Sequence, residues 1–183
     1  MLGIPLTNYT VLKYIADSVD LENSTHREPS LEMELAIDSL KGYSVYAFIL
    51  HDPLLHQDFH NYLKNRFHSL HYSSGEHLVF FGLVDSPETL SLVGRRPFYQ
   101  DIRDMVTAFE DEESQKNDAS YSAFAFATAL DIDPEKLPAI IITHDPRSTT
   151  YKYYKTCPNE LERQFNRLTS ISYQMNYHKE NLN

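Results

Sequence analysis

Leu137-Pro138-Ala139-Ile140-Ile141-Ile142 is the stretch on which the fold turns. Proline has no N–H to give a sheet, so directly ahead of an apolar run it belongs at a strand's entrance. Ala139–Thr143 therefore reads as a buried strand. Past it, His144-Asp145-Pro146-Arg147-Ser148 has the length and composition of a hairpin turn. Thr149–Thr156 (TTYKYYKT) then reads as an antiparallel strand whose lysines suit an exposed edge. Pro158 can open a last helix, in which Leu161, Phe165, Leu168, Ile171 and Met175 recur at helical spacing. The polar tail Asn176–Asn183 should fray.

Working back from Pro138, Tyr121–Leu130 (YSAFAFATAL) is apolar nearly all round and is expected to be a buried helix. Ahead of it runs a charged connection, Glu110 to Asp118. Phe98–Phe109 aligns Ile102, Met105, Val106 and Phe109 on one helical face, and Gly94-Arg95-Arg96-Pro97 is a loop tip.

The first half has its own unit. Tyr43–Leu50 (YSVYAFIL) and His77–Val84 (HLVFFGLV) read as buried strands. Between them Asp52 offers an N-cap, Pro53 the first helical position, and Leu55, Phe59, Tyr62, Leu63, Phe67 and Leu70 one apolar face, with Gly75 marking the turn. Strand, amphipathic helix, strand makes the two strands parallel. Upstream, residues 8–20 align Val11, Leu12, Ile15 and Val19, and Ser30 caps a helix over Leu31–Leu40 that ends at Gly42. Residues 1–42 are expected to form a helical arm.

Composition narrows the function. The chain has 183 residues, enough for one substantial core, with 42% hydrophobic and 23% charged residues, as in a globular protein. Five glycines and no Gly-rich phosphate-loop motif argue against a nucleotide cradle. A formal charge of −10 opposes nonspecific binding to nucleic acid or anionic membranes. The single cysteine, Cys157, rules out an internal disulfide framework and a cysteine-rich zinc site. The opening residues are too polar for a signal-peptide core, and no apolar run reaches the ~20 residues needed to span a bilayer. The expectation is a cytoplasmic protein that binds neither nucleic acid nor membrane.

The order β-α-β, then α-β-β-α, with a proline opening the third strand, resembles the thioredoxin fold. The closest local match is Phe126–Thr143, FATALDIDPEKLPAIIIT. The resemblance implies an α/β three-layer sandwich over residues 43–176, an insertion at about 85–117, the helical arm before it and a flexible tail over 177–183. It also implies a cis Leu137–Pro138 bond. The chain departs from the family where the Cys-x-x-Cys motif would open the first helix. His51-Asp52-Pro53-Leu54-Leu55-His56 stands there instead, so dithiol exchange is impossible at that place. This is similar to a redox-inactive member of the family. The resemblance then leaves strand-like peptide recognition in the groove beside Pro138, with Leu137 and Pro138 on one side and His51, Asp52 and Pro53 opposite, and no cofactor.

Other sites are weaker. His56 and His60 stand one helical turn apart, an acceptable metal-ligand spacing, but no H-E-x-x-H glutamate lies between them, and histidines beside an apolar stripe often cover a core edge. His68 and His71 carry less. Cys157 precedes a helix start, where a thiol can be activated, yet no general base accompanies it. Lys152-Tyr153-Tyr154-Lys155 interleaves base and ring as single-strand nucleic-acid binders do, but it fits a protected edge strand as well. Arg95 and Arg96 fit a solvated loop tip. The leading expectation is a protein-binding or regulatory module. The alternatives are a cysteine-independent enzyme of glutathione-transferase type, disfavoured by the Asp52 carboxylate at the helix start, and a histidine metal protein.

Overall fold

The computed structural model describes residues 2–6, 42–84, 123–124, 127–128, 130–144 and 151–180. The helices expected over 8–20, 31–40 and 98–109, the insertion, the Arg95-Arg96 tip and the hairpin turn after His144 lie outside the described residues. Within them the chain is mixed α/β. Its strands are β1 (Leu2–Leu6), β2 (Val45–Leu50), β3 (Leu78–Leu83), β4 (Ala139–Thr143) and β5 (Lys152–Lys155), with helices α1 (Gln57–Ser73) and α2 (Pro158–Glu180).

The five strands form one sheet in the order β1-β3-β2-β4-β5. β1 and β2 both run parallel to β3, β4 is antiparallel to β2, and β5 is antiparallel to β4. The central strands are buried at every position. Two-sided burial is why they read as continuous apolar runs instead of alternating ones.

One face of the sheet carries the core. Val45, Ala47 and Ile49 of β2, Leu78 and Phe80 of β3, and Ile140 and Ile142 of β4 meet Phe59, Leu63, Phe67 and Leu70 of α1 and Leu161, Phe165 and Leu168 of α2. The helical residues recur at three- and four-residue steps, so each helix turns one stripe inward. Phe80 is the hinge of this packing, with ring centroids 5.1 Å from Phe67 and 4.7 Å, edge-on, from Phe165. Burying each such side chain contributes about 1.5–3 kcal/mol, and an aromatic pair of this geometry adds about 0.5–1.5 kcal/mol. The Thr169 hydroxyl, donating to the Ser73 carbonyl at 3.1 Å, ties α2 to the end of α1. The opposite face is buried too, and there Phe48 and Phe81 stack at 5.1 Å.

Three expectations change. The opening residues of the supposed helical arm, Leu2–Leu6, are a sheet edge. Gly3 and Pro5 make a helix poor there, and Gly3 lets the strand lie close over Phe80, since a Cβ at that position would come within 2.4 Å of the ring. The last helix continues through Asn176 and Tyr177 to Glu180, because no glycine or proline follows Met175 to stop it. Leu55, expected on the buried face of α1, is exposed: residues 53–56 form a turn and the regular helix starts only at Gln57.

The approach to Pro138 is built from two stop signals. Ile132 N–H donates to the Ala127 carbonyl and Asp131 N–H to that of Thr128, with Asp131 at φ 53°. This is a Schellman ending in which an aspartate takes the left-handed position glycine usually fills. Buried Ile132 follows it. Asp133 then caps a single 3-10 turn, Pro134–Lys136, by accepting from the Glu135 amide at 3.0 Å. The Leu137–Pro138 peptide bond is cis. The Pro138 carbonyl accepts from the Thr156 amide at 3.0 Å, which extends the β4–β5 ladder by one pair.

Candidate functional site

The last register pair of β2 with β4 is Leu50 with Ala139. One step further stand His51 on the first strand and Pro138 on the second, so the two places singled out in the sequence meet at one end of the sheet. Cys157, half-buried and free, follows Thr156 on the β5 side of Pro138, away from β2.

The segment after His51 is held by reciprocal bonds. Oδ1 of Asp52 accepts from the amides of Leu54 at 2.7 Å and Leu55 at 3.0 Å. In return the Asp52 amide donates to Nδ1 of His56 at 3.1 Å, and the His56 amide donates to the Asp52 carbonyl at 2.9 Å. The arrangement works as a capping box does, but the returning bond comes from His56, four residues on, where a box uses a glutamate three residues on. It satisfies the first amides of the turn and aims residues 53–55 outward.

His51 is fully buried. Its Nε2 lies 2.9 Å from Nδ1 of His60, one ring donating and the other accepting, and its ring packs on Phe59. Asp52 is 1% exposed and Leu137 4%. These three side chains, expected to line a binding groove, are turned into the fold. The reason is local: His51 continues the buried strand, and the Asp52 carboxylate accepts from the amides of the turn. The Leu137 amide, a donor that a strand-like partner could use, is engaged with the Pro134 carbonyl at 3.1 Å. Pro53 and Pro138 are half-buried.

Within the 53–56 turn the exposed side chains are two leucines. Leu54 is 63% exposed and Leu55 70%. Sequence reasoning assigned Leu55 to the core and passed over Leu54. The available signal was the Asp52-Pro53 start: a cap and a proline leave the next two side chains before the stripe that begins at Phe59.

The histidines act as cross-links. His56 and His60, the candidate metal pair, each turn Nδ1 to a different internal partner, the Asp52 amide and the His51 ring. Among the described residues, no three His, Cys, Asp or Glu side chains form a group that could hold a metal. His71 accepts the Gly3 amide through Nδ1 at 2.9 Å, and Nδ1 of His144 lies 3.2 Å from the Ser44 carbonyl.

Two tyrosines of β5 and its approach pin the 130–136 segment. The Tyr153 hydroxyl donates to the Lys136 carbonyl at 2.7 Å, and that of Tyr151 to the Leu130 carbonyl. Burial raises the pKa of both phenols, and the neighbouring carboxylates, Asp131 for Tyr151 and Asp133 for Tyr153, raise them further. No helix among the described residues is long and apolar enough to cross a membrane. No family model matches the chain, and no curated protein or solved structure matches it either.

Proposed function

We propose that the chain is a thioredoxin-like, redox-inactive module that binds an apolar segment of a partner protein on the turn Pro53-Leu54-Leu55, beside Pro138. The observation that carries this reading is the exposure of two consecutive leucines, 63% and 70%, on a turn whose backbone is fixed by Asp52. A turn whose backbone is already fixed loses little further backbone freedom when its side chains are covered. The strand order, with a β-α-β unit feeding an antiparallel pair and a closing helix, supports the family reading. In that reading the leucines occupy the place of the dithiol, so a binding surface stands where the family keeps its chemistry. His51, Asp52 and Leu137 support the turn and the strand entrance from beneath.

Selection of a random peptide library against the folded chain tests the proposal. Enriched peptides should carry large apolar residues and should lose about tenfold or more in affinity, about 1.4 kcal/mol, for a Leu54→Ser/Leu55→Ser double variant. Peptides that bind this variant unchanged would sink the reading. Insulin reduction with dithiothreitol should stay at the uncatalysed rate.

A further inference from the structure

Among the described residues the sheet ends at β1 and β5, and these two strands differ in what they offer another strand. On β1 the Gly3 amide, which donates to His71, faces away from β3, and Pro5 shares that outward side because outward groups alternate along a strand. Pro5 has no amide hydrogen and the Gly3 donor is used, so the outward amide donors of this edge are closed. This is the protection an edge strand needs against unwanted pairing.

β5 is different. The bond from the Thr156 amide to the Pro138 carbonyl sets the alternation: Tyr154 pairs with Ile140 and Lys152 with Ile142, so the backbone groups of Tyr153 and Lys155 face outward. The Lys155 carbonyl accepts from the Gln164 side chain at 3.0 Å. The Tyr153 amide, the Tyr153 carbonyl and the Lys155 amide remain on that side, and among the described residues β5 is the last strand of the sheet. Lys152 and Lys155 are exposed and Tyr154 is 42% exposed. The two lysines lie three residues apart, so they flank the open backbone from opposite faces.

We propose that the outer side of β5 accepts an extended acidic segment of a partner protein, added antiparallel as a further strand, with two acidic residues spaced three apart. This does not depend on the apolar turn. The charge of the strand selects the occupant. Residues 151–156 hold two lysines and no acid in a chain of net charge −10. A second copy of the chain would bring two more lysines to the same edge, whereas acids opposite Lys152 and Lys155 pair with them at strand spacing, about 4.8 Å. The repulsion from the rest of the molecule acts over longer distances and is screened beyond about 8 Å at physiological salt.

The probe is the blocked peptide acetyl-Thr-Glu-Val-Thr-Glu-Val-amide, whose glutamates face Lys155 and Lys152 when its second threonine faces Tyr153. Titrated into the full chain and followed by amide shifts, it should move Tyr153 and Lys155 first. The same peptide with lysine for glutamate, and the glutamate peptide N-methylated at its second threonine, should each bind at least about tenfold more weakly. A Lys152→Glu/Lys155→Glu variant with unchanged circular dichroism should reverse the preference between the acidic and basic peptides. Equal affinity for both peptides, shifts that spare β5, no binding at millimolar peptide, or a β5-mediated dimer of the chain alone would each overturn the proposal.

Discussion

The amide of Asp52 donates to Nδ1 of His56 at 3.1 Å, while the Asp52 carboxylate accepts from the two amides between them. Each residue completes the other's cap. Asp52→Ala removes both side-chain bonds from a site closed to water, and we expect it to cost about 1–2 kcal/mol of stability, read as a lower denaturation midpoint in urea. Asp52→Asn keeps an acceptor oxygen and should cost less. Amide exchange at Leu54 and Leu55 should quicken in the alanine variant. If the cap is what aims the leucines, peptide binding at the turn should weaken together with that protection.

On the side away from β3, the Gly3 amide of β1 donates to the His71 imidazole. His71→Ala leaves the buried Gly3 amide without its acceptor, at an expected cost of about 1–3 kcal/mol. Gly3→Ala tests the other contact of the same residue. The new methyl would meet the Phe80 ring at 2.4 Å, so it should destabilise by about 1–3 kcal/mol through forced repacking. Both variants should raise amide exchange along β1 while β4 stays protected. Equal loss of protection in both strands would mean that β1 is not a local unit.

The parts of this fold that could be read from sequence are those whose partners are many and interchangeable. β3 and β4 are buried on both sides, so any apolar residue serves, and unbroken runs such as Val79-Phe80-Phe81 and Ile140-Ile141-Ile142 announce them. β1 could not be found this way. Leu2–Leu6 includes a glycine and a proline, and what makes it a strand is β3 and His71, both distant in sequence. The candidate site shows the same division. His51, Asp52, His56 and His60 stood out as a cluster, but spacing alone does not say where a ring nitrogen points. Three of the four are committed within the cluster to an amide or to one another, and Asp52 to its turn. Leu55 reads as core only when the helical repeat is carried back past the helix start at Gln57, and Leu54 has no place in that repeat.

Alkaline titration should separate Tyr151 and Tyr153 from exposed tyrosines. Their hydroxyls donate to the Leu130 and Lys136 carbonyls, and burial, with Asp131 and Asp133 nearby, raises both pKa values above the usual 10. A pKa raised on folding stabilises the protein fully below the unfolded value and loses that contribution as pH rises through the folded value. Stability should therefore hold to about pH 10 and decline above it. Phenolate absorbance should show a late-titrating fraction that shrinks in Tyr153→Phe. A single ionisation step at the ordinary tyrosine value would show that these bonds do not persist in solution.

Asp131 offers the sharpest test of the entrance to β4. It sits at φ 53°, a conformation that costs an ordinary residue about 1–2 kcal/mol and glycine almost nothing. Asp131→Gly removes that cost but also frees the unfolded chain, so the net change should be neutral to slightly stabilising, within about 1 kcal/mol. Asp131→Val places a β-branched side chain where its Cβ is crowded and should destabilise by about 1–2 kcal/mol or more. The glycine variant carries a second readout. Asp131 helps to raise the Tyr151 pKa, so its loss should move the Tyr151 titration down toward the ordinary value while leaving Tyr153, which faces Asp133, in place. Isotope-labelled tyrosine rings followed by NMR through the alkaline range would resolve the two. A valine variant as stable as the glycine one would mean that the Ala127–Ile132 ending is not formed in solution.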